Sequence, residues 1–437
     1  MSNVASCYSY DSMTGLRDRS AFFHDVRDHI ESEAHVHIIV VQLSHLAHIN
    51  RRYGVQVGDQ LIRVISEYLK ELSEEYAAYR IANSRLVLMG GECTQQRAEE
   101  FVRDINKRFQ NSWRVSHGDK EYEILSSAFL LHMFLDPRDT ENDLLDKINY
   151  TISMVSVQAG DNIIFFDEAI NADMQRNRYV LDEVRYAIEN KTFQMYYQPI
   201  YDCQKGRFDS AESLIRLFGR DGSFISPGEF IPMAEINGLI DDISWIVLEK
   251  VCEFLGRYPD LPLSAVSVNM TGKQILNSGF VRRIEEHLEN YHMDGGRLRI
   301  EITERIITED FEKVKKVMEY LSEKGIHFYL DDFGTGYSNI SSMLSLPFEV
   351  IKFDQSLVKT MNSSDKGLRT IGLLADIMHE NDCVVVAEGV ETEQQAKTAQ
   401  ERKLDRIQGY FFARPMPEKE LIRFLEEKKG LHLILGE

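Results

Sequence analysis

The sequence is poor in cysteine, in long apolar runs and in net positive charge. Its five cysteines are scattered without C-x-x-C spacing, so the sequence indicates neither a zinc site nor a disulfide framework, and a reducing cytosol fits best. The formal charge of −20 argues against a general nucleic-acid binder, because that affinity comes from basic patches that neutralise phosphates. An anionic ligand would need metal ions or a local cluster of basic side chains.

The sequence also lacks the pattern of a membrane segment or of a signal peptide. No apolar run approaches the ~20 residues that a membrane helix needs. The first residues do not pass from a charged stretch to an apolar one. We therefore expect a cytoplasmic protein without a membrane partner.

The length of 437 residues is enough for two or three domains. Helix and strand patterns alternate over residues 1–166, which predicts an α/β sandwich. The predicted helices are residues 16–32, 58–72 and 94–109, and the predicted strands are residues 35–43, 80–90, 124–133 and 162–166. Residues 167–191 are helical and charged without a proline or glycine hinge, so we predict a stiff connector at residues 167–175.

Strands and helices alternate regularly through the second predicted domain, residues 176–437. The predicted strands are residues 193–200, 209–217, 265–270, 298–303, 327–333, 350–354, 383–388 and 406–412. The predicted helices are residues 232–255, 279–291, 310–323, 367–381 and 393–403. Eight such units over roughly 250 residues predict a (β/α)8 barrel of a modified TIM type. The alternative is an open doubly wound sheet, but no glycine-rich dinucleotide fingerprint follows the first strand.

Polar side chains occur at the C-terminal ends of the predicted barrel strands. They are Glu212, Arg216, Asn269, Glu301, Asp331, Asp332, Lys352, Glu388 and Gln408. Each of them alone has a structural explanation, such as a surface ion pair, a turn or a helix cap. Together they fall on the rim where barrel active sites are built, and converging carboxylates there suit Mg²⁺ or Mn²⁺.

The same positions carry a series of short motifs. These are Tyr197-Gln-Pro-Ile200, Glu212-Ser-Leu-Ile-Arg216, Val268-Asn-Met-Thr271, Glu301-Ile-Thr-Glu304, Asp331-Asp-Phe-Gly-Thr-Gly336, Ile351-Lys-Phe-Asp354, Glu388-Gly-Val-Glu391 and Gln408-Gly-Tyr410. Over about residues 176–427 they resemble, one after another, the motifs of the EAL family of cyclic di-GMP phosphodiesterases. Ser213 replaces an Ala of the family pattern and Thr271 replaces a Ser, and neither change removes a group that the chemistry requires.

This resemblance implies hydrolysis of cyclic di-GMP to linear pGpG with two divalent ions, Mg²⁺ or Mn²⁺. The implied metal ligands are Glu212, Asn269, Glu301, Asp331, Asp332 and Glu388. Glu388 could also be the general base, with Lys352 orienting water or stabilising charge. The implied substrate contacts are Gln198, Leu214, Arg216 and Gln408, and the implied supporting residues are Glu304 and Glu391. The alternative is a non-catalytic receptor that binds cyclic di-GMP and relays its occupancy to a partner.

The first portion resembles a different family, the GGDEF domain of diguanylate cyclases. The stretch Asp11-Ser-Met-Thr-Gly-Leu-Arg-Asp-Arg19 is similar to its DxLTGLxNR opening. The metal-binding acids of that family are replaced here. Gln42 and Ser44 stand in the DxDxFK motif, and Ala82-Asn-Ser-Arg-Leu86 stands where the family has GGDEF. Without these acids nothing holds Mg²⁺ against a triphosphate, so the resemblance implies a degenerate cyclase domain.

A guanine-contacting segment of the cyclases has counterparts in this chain. Asn50 and Asp59 stand at the matching positions, so the domain could still bind GTP. The alternative is that Asn50 is a helix cap and Asp59 a turn residue. The inhibitory RxxD motif would fall at residues 73–76 and is missing. We expect this domain to act as a regulatory or dimerisation element, and the protein to be a homodimer.

Overall fold

The computed structural model describes residues 9–31, 36–72, 75–91, 93–155, 162–304, 310–335, 343–361 and 363–428. The chain forms two compact units, Met1–Arg178 and Tyr179–Glu437. The predicted connector at 167–175 belongs to one helix, Glu168–Asn190, which continues past this division. Among the described residues, no helix combines enough length with enough apolar character to span a membrane.

The first unit is an α/β sandwich around one mixed sheet, as the sequence predicts. Its strands are β1 (Arg17–Asp18), β2 (His37–Leu43), β3 (Tyr76–Ala82), β4 (Arg85–Gly90), β5 (Trp113–His117), β6 (Lys120–Ile124), β7 (Ala128–Phe134) and β8 (Ile163–Phe165). Its helices are α1 (Arg19–Glu31), α2 (Leu46–Tyr53), α3 (Val55–Glu71), α4 (Gln95–Phe109), α5 (Glu141–Val155) and α6 (Glu168–Asn190). The strands run in the order β1, β3, β4, β2, β7, β8, and β5 pairs with β6 in a separate hairpin.

The apolar run of β2 follows from its central place in this sheet. Alternate side chains of a strand point to opposite faces. Ile39 and Val41 pack into the core on one face, and Ile38 and Val40 pack into the core on the other. Because helices cover both faces of the sheet, both faces of β2 are buried, and its central residues are apolar on either face.

Two of the predicted strands in this unit are wrong. The strand predicted at 80–90 is a hairpin, because β3 and β4 pair antiparallel around the turn at Asn83-Ser84. The strand predicted at 124–133 is divided between β6 and β7, which belong to different sheets. In both cases apolar residues on either side of short polar turns form one continuous pattern in the sequence.

The second unit is a barrel. Its strands are β9 (Gln194–Asp202), β10 (Arg207–Phe218), β11 (Phe224–Ile225), β12 (Ala265–Asn269), β13 (Leu298–Thr303), β14 (His327–Phe333), β15 (Phe348–Phe353), β16 (Val384–Ala387), β17 (Arg406–Ile407) and β18 (Met416–Pro417). Within the described residues eight strands close the ring, in the order β10, β12, β13, β14, β15, β16, β17, β9 and back to β10. Strand β9 is antiparallel to both neighbours, whereas the other pairs in the ring are parallel. The predicted modified TIM barrel is confirmed.

Helices surround this barrel. They are α7 (Pro227–Ile236), α8 (Ile240–Arg257), α9 (Gly272–Ile275), α10 (Phe280–Asn290), α11 (Phe311–Glu323), α12 (Gln355–Met361), α13 (Asp365–His379), α14 (Glu393–Glu401) and α15 (Glu418–Glu427), with a 3-10 turn at Gly295–Arg297. The single helix predicted at 232–255 is wrong. It is two helices, α7 and α8, separated at Gly238, whose φ of 70° no helix continues.

The interior of the barrel is built in layers. One layer is apolar and consists of Ile200, Tyr329, Val350 and Val386. Two residues further along or back on β9, β14 and β15, and therefore on the same face, are Gln198, Asp331 and Lys352, and Glu388 directly follows the end of β16. A polar layer thus lies directly on an apolar floor, which separates it from the opposite end of the barrel.

The last barrel strand ends earlier than predicted. It stops at Ile407, and residues 410–412 are a turn rather than strand. A Cβ atom on Gly409 would lie 2.0 Å from the carbonyl oxygen of Val390 and 2.4 Å from its nitrogen. Glycine is therefore required where these two loops touch.

We expect Gly409→Ala to lower the free energy of unfolding by about 1–3 kcal/mol, because backbone rather than a flexible side chain must move. Chemical denaturation of the whole chain measures it. Gly228→Ala is the matched control, since the nearest atom to its added Cβ is the Ser226 hydroxyl at 3.7 Å. Equal stability of the two variants would show that the Gly409 contact does not constrain the fold.

Candidate active site

Polar side chains meet in a cleft of about 350 Å³ in the second unit. Glu212 reaches it from β10 and Asp331 from β14, and Glu388 follows the end of β16. The predicted site residues that line it are Gln198, Glu212, Leu214, Asp331, Asp332, Glu388, Glu391 and Gln408. The structure therefore gathers most of the predicted side chains at the carboxyl ends of the strands.

Lys352 is the centre of this site. Its Nζ lies 2.7 Å from a carboxylate oxygen of Glu388, 2.9 Å from Glu301, 2.9 Å from Asp331 and 3.2 Å from Glu212. The lysine side chain is only 1% exposed and that of Glu301 is fully buried. A single ammonium group therefore holds carboxylates from four strands or strand ends.

This cluster contains more acid than base. Four ionised carboxylates around one ammonium leave three negative charges uncompensated. Burial and the neighbouring acids Glu212 and Asp331 raise the pKa of Glu301 well above its ordinary value. Burial, assisted by Asp331 and Glu212, also raises the pKa of Glu388 to about 8. Burial alone would lower the pKa of Lys352, but the surrounding carboxylates raise it well above its ordinary value.

Glu212 is held by further hydrogen bonds. Gln408 Nε2 donates to it at 2.6 Å and Asn269 Nδ2 at 3.2 Å. Burial would raise the pKa of Glu212, but Lys352 and these two amides keep it below its ordinary value. Gln408 also donates to Gln198 Oε1 at 3.2 Å, which ties β9 to the site. Glu212 is therefore the carboxylate that stays ionised.

The donor set fits divalent cations. Glu212, Glu301 and Asp331 each offer an oxygen within 4.8 Å of the others, and so do Asp331, Asp332 and Glu388. Within the part of the chain that the structure describes, Glu301 Oε1 is buried and has no hydrogen-bond partner. Clustered carboxylate oxygens of this kind suit hard cations such as Mg²⁺ and Mn²⁺, which would also balance the excess negative charge.

The loop after β14 has a constrained backbone. Asp332 has a φ of 56° and Gly334 a φ of 102°, both in the left-handed region. A Cβ on Gly334 would lie 2.4 Å from Leu357, and its N–H donates to Glu304 Oε1 at 2.9 Å. Burial, with Asp331 next, raises the pKa of Asp332. Gly336, the last residue of this motif, lies outside the described residues.

The structure gives Arg216 and Glu391 contacts other than those with the acidic cluster around Lys352. Arg216 is not among the lining residues of the cleft; its guanidinium lies 5.3 Å from the ring centre of Tyr196 and donates to the carbonyl of Ile215. The N–H of Glu391 donates to Gln395 Oε1 at 2.8 Å, at the start of α14. Glu391 therefore both lines the cleft and, through its backbone N–H, takes part in the hydrogen bonding at the start of α14.

The sequence analysis missed several residues of the cleft. Asp354, Gln355 and Tyr410 also line it. Asp354 and Tyr410 follow the ends of β15 and β17 and belong to the motifs Ile351-Lys-Phe-Asp354 and Gln408-Gly-Tyr410. Their position after a strand end was the signal that could have identified them as lining residues. Gln355 opens α12, and no pattern in the sequence marks it.

The substituted positions of the first unit form a network of their own. Gln42 Nε2 donates to Ser84 Oγ at 2.8 Å, and Arg85 Nε donates to Gln42 Oε1 at 3.0 Å. Arg85 also donates to Asn149 Oδ1 at 2.8 Å. An amide, a hydroxyl and a guanidinium thus occupy the turn side of β2 and β4 and satisfy one another.

The two candidate guanine contacts lie inside helices. Asn50 belongs to α2 and Asp59 to α3, so the alternative of a helix cap and a turn residue is wrong. Asn50 Oδ1 packs against Gly58, where an added Cβ would lie 1.8 Å from it, and it has no hydrogen-bond partner among the described residues. Leaving a buried amide oxygen unpaired is costly.

Fold and site define a barrel protein with an acidic, lysine-centred cleft at the carboxyl ends of its strands. The family model for the EAL domain matches residues 181–415, more than half of the chain. The model described as diguanylate cyclase, GGDEF domain, matches residues 8–148. The chain belongs to the EAL domain family and carries a GGDEF domain before the EAL domain.

Curated relatives match both domains. The cyclic di-GMP phosphodiesterase NbdA of Pseudomonas aeruginosa is 25% identical over 426 residues, 95% of this chain and 54% of the relative. The signaling protein YkoW of Bacillus subtilis is 26% identical over 431 residues, 96% of this chain and 53% of the relative. The chain thus spans about half the length of these relatives. The solved structure of the PaMucR phosphodiesterase in its c-di-GMP complex is 28% identical, has a TM-score of 0.52, and covers 55% of this chain and 99% of that one.

The raised pKa of Glu388 predicts a pH-dependent stability in the absence of metal. Between its ordinary value of 4.5 and about 8, the folded chain keeps a proton that the unfolded chain releases, so raising the pH favours unfolding. In chelator, we expect the wild-type chain to lose stability relative to Glu388→Gln over this range, by at most about 1.4 kcal/mol per pH unit.

Denaturation of both chains at several pH values measures this difference. Saturating Mn²⁺ is the control, because a bound cation favours the ionised carboxylate and should flatten the dependence. A difference between the two chains that does not change with pH would contradict the shifted pKa.

Proposed function

We propose that the barrel hydrolyses cyclic di-GMP to linear pGpG. The observation that carries this proposal is the set of four carboxylates around Lys352 in one cleft, with two overlapping groups of three acids. Family membership and the phosphodiesterase relatives support the reaction class.

Two divalent ions, Mg²⁺ or Mn²⁺, fit the two groups of acids. Glu212, Asn269, Glu301 and Asp331 would hold one, and Asp331, Asp332 and Glu388 the other. When bound, such ions polarise phosphoryl oxygens and make a bound water acidic enough to attack at neutral pH. Asp331 belongs to both groups and would therefore set the distance between them.

The side chains of the chain itself supply proton transfer and charge stabilisation. Glu388 would accept the proton of the attacking water, whose oxygen forms the new bond to phosphorus while the P–O3′ bond breaks. A carboxyl with a pKa of about 8 lies close to the value that favours a general base at neutral pH. Lys352 lies 2.7 Å from Glu388 and would donate to the negative charge that develops on the phosphoryl group.

The polar wall of the cleft would orient the substrate. Gln198 and Gln408 are buried, and Gln408 is fixed by its bonds to Glu212 and Gln198. Leu214 gives this wall an apolar surface for a base. Arg216 would contact a non-bridging phosphate oxygen, because a guanidinium pairs well with phosphate.

The first unit would not make cyclic di-GMP. Phosphoryl transfer from GTP requires a cation held against the phosphates. Gln42, Ser44 and Arg85 stand at positions of the family's acids, Gln42 and Arg85 are joined with Ser84 by hydrogen bonds, and a guanidinium repels a cation. We propose that this unit is a regulatory or dimerisation element of a homodimer, with Asn50 and Asp59 as candidates for contact with GTP.

Loss of a metal ligand should abolish turnover. We expect Glu212→Ala and Asp331→Ala each to lower the rate of pGpG formation at least about 100-fold, because the charge stabilisation by the ion is lost with the ligand. Chromatography of reactions with Mg²⁺, with Mn²⁺ and with chelator measures this. Glu349→Ala is the control, since Glu349 is paired with Arg299 at the other end of β15 and should retain wild-type activity.

Full activity in excess chelator, or in either acid variant, would eliminate the two-ion assignment. Binding of cyclic di-GMP by the wild-type chain without pGpG in any metal would instead identify the non-catalytic receptor.

Replacement of the base should separate binding from turnover. Glu388→Gln keeps the shape of the side chain but cannot accept a proton, so we expect the rate to fall by about 10²–10⁴-fold. Calorimetry should find the affinity for cyclic di-GMP changed only a few-fold. A variant that turns over at the wild-type rate would mean that the base lies elsewhere.

The GGDEF unit should form no cyclic di-GMP from GTP with Mg²⁺ or Mn²⁺. The Glu388→Gln chain is the best test protein, because it would not consume a product of the first unit. Any cyclic di-GMP detected by mass spectrometry would contradict the proposal.

A GTP titration of the wild-type phosphodiesterase rate then distinguishes the two remaining roles. A change in rate that disappears in Asn50→Ala supports GTP regulation. An unchanged rate with no calorimetric binding leaves a dimerisation or packing element.

A further inference from the structure

Three side chains that the proposed reaction does not use meet in the first unit. His37 opens β2, His132 lies in β7 beside it, and Cys93 follows β4 shortly after Gly90, the residue that pairs with His37. Both histidines are only 1% exposed, whereas Cys93 remains partly exposed. The cluster therefore leads from the surface into the interior of the unit.

The three side chains form a hydrogen-bonded chain. Cys93 Sγ lies 3.3 Å from His37 Nε2, and His37 Nδ1 lies 3.0 Å from His132 Nε2. Burial lowers the pKa of His37 and, with His37 next, lowers that of His132 to about 4, so both rings are neutral at pH 7. Burial raises the pKa of the Cys93 thiol, so the sulfur keeps its proton.

Two tautomers of the neutral His37 ring satisfy this chain. With the hydrogen on Nδ1, the ring donates to His132 Nε2, and Nε2 accepts from the Cys93 thiol. With the hydrogen on Nε2, both directions are reversed. The first tautomer is the one that can take a proton from sulfur.

We propose that Cys93 is a thiol–disulfide exchange site, with His37 as its base and His132 as the residue that positions the base. Nucleophile, base and orienting group at hydrogen-bond distances are the arrangement that activates a nucleophile. Burial is the largest influence on the thiol and raises its pKa; the charge of Arg97 and the backbone N–H of Ala98, in the first turn of α4, oppose this in part.

The reaction partner is a small disulfide. The Cys93 sulfur attacks one sulfur of the reagent, a new S–S bond forms, and the old S–S bond breaks with its electron pair on the leaving sulfur. The thiol proton passes to His37 Nε2 and then to the leaving thiolate. The products are a mixed disulfide on Cys93 and one free thiol, with no other oxidant required.

A metal site is a weaker explanation of the same cluster. The described residues supply only the Cys93 sulfur and His37 Nε2 as ligand atoms there, because His132 Nε2 is already hydrogen-bonded to His37 Nδ1. Two ligands do not make the closed tetrahedral site that structural zinc prefers.

The test uses the whole chain and oxidised glutathione as the disulfide. Peptide mapping by mass spectrometry follows the adduct at Cys93 in the native chain and in the chain unfolded by denaturant. Partial burial alone would make the native thiol slower than the unfolded one. We expect it to be at least about tenfold faster, because a positioned base accelerates the attack.

Cys203 is the internal control. It is also partly exposed, but burial and then Asp202 and Asp405 raise its pKa to about 12, so it should react more slowly in the native chain than in the unfolded one. A native Cys93 that reacts no faster than it does in the unfolded chain overturns the proposal.

Variants then assign the roles. His37→Gln should lower the reaction rate of Cys93 to or below the rate in the unfolded chain. His132→Gln should lower the rate less, because the His37 ring remains and loses only its hydrogen bond at Nδ1. Cys93→Ser should remove the adduct. A His37→Gln chain that is folded by circular dichroism and keeps the wild-type rate overturns the role of His37. If that variant does not fold, the comparison of native and unfolded wild-type chain decides alone.

Discussion

Four carboxylates share one buried ammonium in the barrel, and most features of the cleft follow from that imbalance. A buried charge is tolerated only when it is paired, and an unpaired buried carboxylate takes up a proton instead. Glu212 stays ionised because Lys352 and the side-chain amides of Gln408 and Asn269 donate hydrogen bonds to it. Burial and the neighbouring acids favour the protonated form of Glu301 and Glu388. The same excess of acid that is costly without a metal makes the cleft chemically suited to divalent cations. The excess of carboxylates that suits a cation thus lowers the stability of the fold when no cation is bound.

The barrel topology makes this concentration of charge possible. Parallel strands bring Glu301, Asp331 and Lys352 to one edge, and the period of two places Asp331 and Lys352 next to Tyr329 and Val350 of the apolar floor. The antiparallel strand β9 adds Gln198 directly opposite Glu212 in the register. The Gln198 amide thus comes from the strand that is antiparallel to its neighbours. It accepts a hydrogen bond from Gln408, which also donates to Glu212.

The sequence predicted the fold where local pattern and tertiary setting agree. The bounds of β13 and β14 match the predicted strands because both are apolar runs that end in acids. The hairpin of β3 and β4 and the break between α7 and α8 were missed because short turns lie inside longer apolar patterns. Most of the site was predictable, since Asp331 lies near the end of β14 and Glu388 directly follows β16; Glu212, predicted at a strand end, lies instead in the middle of β10. The position of Lys352 at the centre of the acids, and the pKa of Glu388 that follows, depend on distances that no spacing rule supplies.

The two units of the chain show the same principle with opposite results. In the first unit, Gln42, Ser84, Arg85 and Asn149 pair donors with acceptors, and the half-buried guanidinium supplies the positive charge itself. In the barrel, Glu301 keeps a buried oxygen without a hydrogen-bond partner among the described residues, and the carboxylates outnumber the ammonium groups. The two networks therefore differ in the sign of their charge because of the side chains that compose them.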